Sequence, residues 1–322
     1  MRSTCTSTIL SFSAFIFADG FLHYPAPLRQ KNISATSSSG SRTSQQEIDI
    51  KIEIAKYNLL SVAASIMCIP VEVFTTPPMI DITPKTPDEI EYRDRITDVL
   101  SRGQSSADCF RIAPEEAQLV DSMMGSSEKG NLPSTYGEIT ALGARQLFRY
   151  MNLISSKDMY EDSKNDNGYA ESDRFIFVDL GCGSGKLLLQ AYMELPRLKR
   201  AFGVELASTR YDAAVRALDN LKVDAKEIRM SMTNADADLD IYEGDLFQLD
   251  LSSVTHIYVA SLCFTEDMMN RLEKKVVDEG NNLQCIATLK PFKSLGNPRT
   301  KYVEMSWTKA FGNGCAVYFY DW

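Results

Sequence analysis

The run Phe175-Ile-Phe-Val-Asp179-Leu-Gly181-Cys182-Gly183-Ser184-Gly185-Lys186, followed by Gly203-Val204-Glu205, constrains this chain more than any other feature. An apolar strand ends in an acid, and a turn of three glycines opens a helix. A second apolar strand then ends in another acid. Glycines let the backbone turn sharply and approach a ligand with no Cβ in the way, and an acid ending the second strand is placed for the two hydroxyls of a ribose. The pattern predicts a βαβ unit that binds a nucleoside.

The details narrow the ligand. Dinucleotide enzymes use G-x-G-x-x-G, but Asp179 stands two residues before the first glycine and would repel a pyrophosphate. The P-loop pattern fails as well, because Leu187 follows Lys186 where Ser or Thr is required. An acid there suits a ligand with no phosphates and a cationic end, as S-adenosylmethionine has.

Composition limits the alternatives. A formal net charge of −9 and a pI near 5.0 argue against non-specific phosphate binding by the whole surface, so nucleic-acid contact is expected to be weak if present. Seven scattered cysteines without a C-x-x-C pair form neither a zinc site nor a disulfide framework, and they fit a reducing compartment. His23 and His256 are the only histidines, which weighs against a histidine-based metal site or a Ser-His triad, and no metal is expected. No segment has the length of a membrane helix; Pro70 interrupts the apolar stretch 59–74.

Three regions are expected. Residues 1–46 read as a disordered tail or a targeting presequence, with Arg2 before a mildly apolar stretch and a Ser/Thr/Gly-rich segment after it. Residues 47–129 read as a helical region, with helices over 48–69, 87–102 and 113–124 and a proline-rich linker between the first two. Residues 130–322 read as the catalytic domain. Spacing predicts a helix over 140–153, strands at 174–179, 200–205, 239–242, 255–260 and 283–289, and helices at 186–195, 207–222 and 265–278. Two strands in succession close the chain, at 301–308 and 315–321. Alternating β and α implies a parallel, doubly wound Rossmann-like sheet, and the closing hairpin implies an antiparallel last strand. That α/β layout is the one of class I S-adenosylmethionine-dependent methyltransferases.

Six motifs occur in order: Tyr136-Gly-Glu138, the glycine turn from Phe177 to Gly185, Gly203-Val-Glu205, Gly244-Asp-Leu-Phe247, Lys290-Pro-Phe292 and Met305-Ser-Trp-Thr308. Together they resemble the disruptor-of-telomeric-silencing family, the non-SET methyltransferases of a lysine in the core of histone H3. The resemblance implies a histone H3 or nucleosome partner and a nuclear location, an organelle being the alternative if the N-terminus is a presequence. It also implies roles for residues. Tyr136 and Glu138 lie in the loop that folds over the cofactor's methionine end. Asp179, Gly181 and Gly183 line that end, with Lys186 where the family usually has glutamine. Glu205 holds the ribose, Asp245 accepts from the adenine amino group, and Leu246 packs on the ring. Phe264 and Tyr318 are candidates for the apolar wall of a lysine channel, with Ser261 and Tyr136 completing the catalytic set.

Ala260-Ser261-Leu262-Cys263-Phe264 replaces the family's Asn-Asn-Phe, and Ile139 replaces a threonine. These departures leave the lysine and the degree of methylation open. Methylation of another protein, a nucleic acid or a small molecule is the alternative, and a cofactor- or histone-binding module without turnover is a second. Asp179→Ala or Glu205→Ala is expected to weaken cofactor binding sharply and to leave the fold intact.

Overall fold

The computed structural model describes residues 80, 82–84, 86–102, 112–124, 137–154, 170–232, 236–308 and 314–322. The expected helix over 48–69, the stretch 1–46 and Tyr136 lie outside the described residues.

Seven strands form one sheet: β1 (Phe175–Leu180), β2 (Leu198–Glu205), β3 (Asp238–Glu243), β4 (His256–Val259), β5 (Cys285–Thr288), β6 (Arg299–Val303) and β7 (Cys315–Asp321). Their spatial order is β3-β2-β1-β4-β5-β7-β6. The first five run parallel, and β7 is antiparallel to both β5 and β6. The helices are α1 (Pro87–Arg102), α2 (Pro114–Met124), α3 (Ala141–Tyr150), α4 (Lys186–Glu194), α5 (Ser208–Met232) and α6 (Glu266–Glu279). Strand order reverses at β1, so the crevice for a ligand opens beyond the carboxyl ends of β1 and its neighbours β2 and β4.

Period-two alternation divides the core. Phe177, Tyr258, Ala287, Val317 and Phe319 face one side of the sheet under α3 and α4. Val178, Val204, Ile257, Ile286 and Tyr320 face the other side under α6. Helix α1 adds an outer layer, burying Tyr92, Ile96 and Val99 against Leu189 and Met193 of α4 and Leu221, Ala225 and Ile228 of α5.

Two boundaries differ most from the sequence reading. Helix α5 continues to Met232 instead of stopping at 222. Its extra turns bury Arg229, whose guanidinium donates to the carbonyls of Tyr192 (2.7 Å), Leu195 (3.1 Å) and Leu198 (3.1 Å). The end of α4 is therefore capped by a distant side chain, which satisfies carbonyls that a helix C-terminus leaves open. Strand β6 stops at Val303, and Met305 instead forms an isolated antiparallel bridge with Ile139.

His256 is buried on β4 with its ring edge-on to Phe175 at 5.4 Å, and Nδ1 lies 2.9 Å from Thr255 Oγ1. Burial first, and then the Arg197 charge, push its pKa down to about 4. A base depressed in the folded state contributes fully above its unfolded pKa, near 6.5, and that contribution is lost as pH falls toward 4. The loss is about 3 kcal/mol. Urea unfolding of wild type and His256→Gln across this window checks it: the gap between the two should close on acidification, and a constant gap would contradict the assignment.

Candidate active site

The glycine turn begins where β1 ends. Gly181, Gly183 and Gly185 all have positive φ, at 85°, 55° and 76°. At Gly181 a Cβ would meet nothing within 4 Å, so the backbone there faces open space. Four of the turn's amides, however, are already bonded inside the protein. Gly181 and Cys182 donate to the Val204 carbonyl at 2.9 and 3.1 Å, Gly183 donates to Glu205 Oε2 at 2.8 Å, and Gly185 donates to the Cys182 carbonyl at 2.9 Å. A phosphate-binding turn keeps such amides free for the anion. This one does not.

Two acids sit behind the turn. Asp179 is 4% exposed, and its Oδ1 is buried with no hydrogen-bond partner among the described residues. Burial first, and then the Glu205 charge, push its carboxyl up to about 8. Glu205, equally buried, accepts from Gly183 N–H and, at 2.9 Å through Oε1, from Ala207 N–H. A carboxylate has about four acceptor sites, so both oxygens keep capacity for ligand hydroxyls. The expectation that Glu205→Ala leaves the fold intact is corrected here: the side chain ties the turn to the start of α5, and its loss strands two buried donors.

The motif most specific before the turn and the one most specific after β6 meet in space. Glu138 N–H donates to Ser306 Oγ at 3.3 Å, and Ser306 N–H donates back to the Glu138 carbonyl at 2.9 Å. The Trp307 ring lies so close to Gly137 that a Cβ there would come within 2.5 Å of it, so only glycine fits. The Glu138 carboxylate then reaches across to the turn. It accepts from Lys186 Nζ at 2.7 Å and from Ser184 Oγ at 3.2 Å. Lys186, expected beside the cofactor, is thus engaged as the partner of Glu138 at the first residue of α4.

At the end of β3, Gly244 N–H donates to the Glu205 carbonyl at 2.9 Å, which places Asp245 one residue beyond that link to Glu205. Asp245 Oδ1 caps a short 3-10 turn by accepting from Phe247 N–H at 2.9 Å. Leu246 is 4% exposed and packs mainly into the apolar cluster with Phe202 and Val204.

Of the expected substrate-side residues, Ser261 and Phe264 follow β4 and Tyr318 lies on β7. Ser261 is fully buried, and its hydroxyl accepts from Leu289 N–H (3.1 Å) and Lys290 N–H (3.0 Å). That weighs against its place in the catalytic set: the hydroxyl is engaged in joining two loops. Phe264 and Tyr318 are half-buried and pack on the α6 side of the sheet, with Tyr318 in register with Thr288. Lys290 Nζ donates to the Phe264 carbonyl, which fixes the loop that carries Phe264.

Sequence reasoning missed Tyr258 and Glu116. Tyr258 lies in register with Asp179 on the adjacent strand, and its phenol is held far above its ordinary range by burial and then by the Asp179 charge. Strand alternation relative to Asp179 was the available signal. Glu116 reaches the site from α2, and no local pattern announces it. Among the described residues, no group of three or more His, Cys, Asp or Glu side chains is placed to hold a metal ion, and no helix is long and apolar enough to cross a membrane.

The chain matches no protein-family model and no curated protein. Among solved structures it is similar to an RNA methyltransferase from Salinibacter ruber in complex with S-adenosyl-L-homocysteine, at 15% identity and a TM-score of 0.36, covering 55% of this chain and 88% of that one. It is also similar to the m1A22 tRNA methyltransferase TrmK of B. subtilis, at 13% identity and a TM-score of 0.26, covering 42% and 50%. A third similarity is to PKMT2 from Rickettsia typhi in complex with AdoHcy, at 16% identity and a TM-score of 0.27, covering 38% and 22%. Likenesses this distant carry no argument about substrate. The strand order β3-β2-β1-β4-β5-β7-β6, with β7 the antiparallel strand and the glycine turn after β1, is itself the class I methyltransferase fold.

Proposed function

We propose that this chain is an S-adenosylmethionine-dependent methyltransferase of protein lysine, with a lysine in the core of histone H3 as the foremost candidate substrate. One observation carries the cofactor reading: a buried carboxyl oxygen of Asp179 without a partner among the described residues, behind a glycine turn in which the amides of Gly181, Cys182, Gly183 and Gly185 are already bonded. An anion would meet two acids and four amides that are already bonded within the protein. A ligand with a cationic amino-acid end and an uncharged ribose suits both acids. In this reading Asp179 holds the amino group, Glu205 the ribose hydroxyls and Asp245 the adenine amino group. Glu138 and Tyr136 belong to the segment over the methionine end. When bound, the cofactor supplies an electrophilic methyl group on a sulfonium.

The lysine half rests on the family resemblance. It is supported by the meeting of Gly137 and Glu138 with Ser306 and Trp307, which a generic methyltransferase does not need. A free lysine amine has a pKa near 10.4 and must lose its proton before it can attack. Phe264 and Tyr318 offer apolar walls that favour the neutral amine, and the proton leaves to solvent. Holding amine and methyl group in line supplies several kcal/mol of the barrier reduction.

Nucleus is the compartment this reading implies, and imaging of a full-length fusion tests it against an organelle. With a net charge of −9, affinity for nucleosomal DNA should be weak. The decisive assay incubates the protein and labelled S-adenosylmethionine with nucleosomes, free histones, RNA and cell extract. Methyl-lysine in the H3 core by mass spectrometry, absent with Asp179→Ala, is expected. Label confined to RNA or a small molecule would overturn the substrate.

A further inference from the structure

Helix α5 starts directly after Glu205, and its own sequence does not cap it. Ala207 occupies the cap position, where its carbonyl accepts from Arg210 N–H at 3.0 Å and Tyr211 N–H at 2.9 Å. Its methyl side chain offers nothing to the open amides of the first turn. The cap comes from another helix. Glu116 of α2 accepts from Thr209 N–H at 2.9 Å and from Thr209 Oγ1 at 2.7 Å. Ala207 N–H itself donates to Glu205 Oε1 at 2.9 Å. Ser208 Oγ donates to Glu243 at the end of β3. The turn from Glu205 to Thr209 is therefore held by carboxylates from β2, β3 and α2, at the positive end of a 25-residue helix. On α2, Val120 is buried.

We propose that Glu116 is a positioning residue for the nucleoside site, acting through Glu205 on recognition of a ribose diol. The proposal rests on the cofactor reading above. Glu205 presents its remaining lone pairs in a direction fixed by its two bonds, to Gly183 and to Ala207. The second bond exists only while the first turn of α5 stays wound, and Glu116 is what keeps it wound at Thr209. Without Glu116 the turn frays, Ala207 N–H moves, and Glu205 is left tethered at one oxygen. Shape recognition of the adenine and the amino-acid end, which involves other residues, is untouched. The loss therefore falls on the diol.

Calorimetry on the full chain tests this with S-adenosylhomocysteine and its 2′-deoxyribose analogue. Wild type should prefer the diol. Glu116→Ala should raise the dissociation constant for S-adenosylhomocysteine roughly tenfold, as loss of a helix cap does, and should bring the two ligands close to equal affinity. Thr209→Val, which removes only the hydroxyl half of the cap, should shift the preference in the same direction by less. Glu115→Ala, on the exposed side of α2, should change neither constant. A purely structural role would lower the melting temperature and weaken both ligands alike. Wild-type binding with the diol preference intact in Glu116→Ala overturns this proposal alone. Failure of the wild type to bind either ligand overturns the cofactor reading and this proposal with it.

Discussion

Asp179→Asn should make the free protein more stable and unable to bind S-adenosylmethionine. The side chain is 4% exposed, and its carboxyl is raised to about 8 by burial and then by Glu205. An acid whose folded pKa is raised contributes its stability below the unfolded value, near 3.8, and loses it as pH rises toward 8. At pH 7 the cost of keeping a carboxyl there is on the order of 3–4 kcal/mol. The amide has nearly the same shape and does not ionise, so it escapes that cost. A gain of roughly 5–10 °C in melting temperature is expected. The same neutrality removes the charge that attracts a ligand ammonium, so calorimetry should find no binding in the variant. In the wild type, Asp179 starts largely protonated at neutral pH and should release its proton as a cationic ligand binds. The heat at pH 7 should then depend on the buffer's ionisation enthalpy, and apparent affinity should rise toward pH 8. Wild-type binding in Asp179→Asn, or a lower melting temperature, would falsify this account of the carboxyl.

Glu205→Ala should weaken binding as well, but with the opposite effect on stability. Its two oxygens accept from Gly183 N–H and Ala207 N–H, both buried. Each stranded donor costs about 1–3 kcal/mol, so the variant should lose roughly 3–5 kcal/mol. Relief of the repulsion that Glu205 exerts on Asp179 offsets part of this. That repulsion is only the second cause of the Asp179 shift, behind burial, so the stranded donors should win. Glu205→Gln keeps one acceptor and should fall between wild type and alanine in urea unfolding. Its affinity for S-adenosylhomocysteine should drop tenfold to a hundredfold, about 1–3 kcal/mol. Two neighbouring acids with the same effect on binding and opposite effects on stability are the signature to look for. Equal stability in wild type and Glu205→Ala would show that the carboxylate does not tie the turn to α5.

The strands, most of the helices and the glycine turn were legible in the sequence because their signals are local. Short, nearly continuous apolar runs mark β1, β2 and β4, and the glycines mark the turn whatever the rest of the chain does. The parallel sheet and its antiparallel finish followed from the order of elements alone. Contacts between residues far apart in the chain were not legible. Nothing local to Ser261 says that its hydroxyl is taken up by the amides of Leu289 and Lys290. Nothing near Lys186 says that its charge is spent on Glu138. Nothing local to the last turns of α5 says that Arg229 there is taken up by the carbonyls of Tyr192, Leu195 and Leu198. Residue type and spacing determined which groups carry charge and where the chain must turn. Tertiary structure decided which of those groups are already committed to partners inside the protein. Commitment depends on burial and on donors brought from elsewhere, and among the described residues it leaves Asp179 as a buried acid with an unpartnered oxygen.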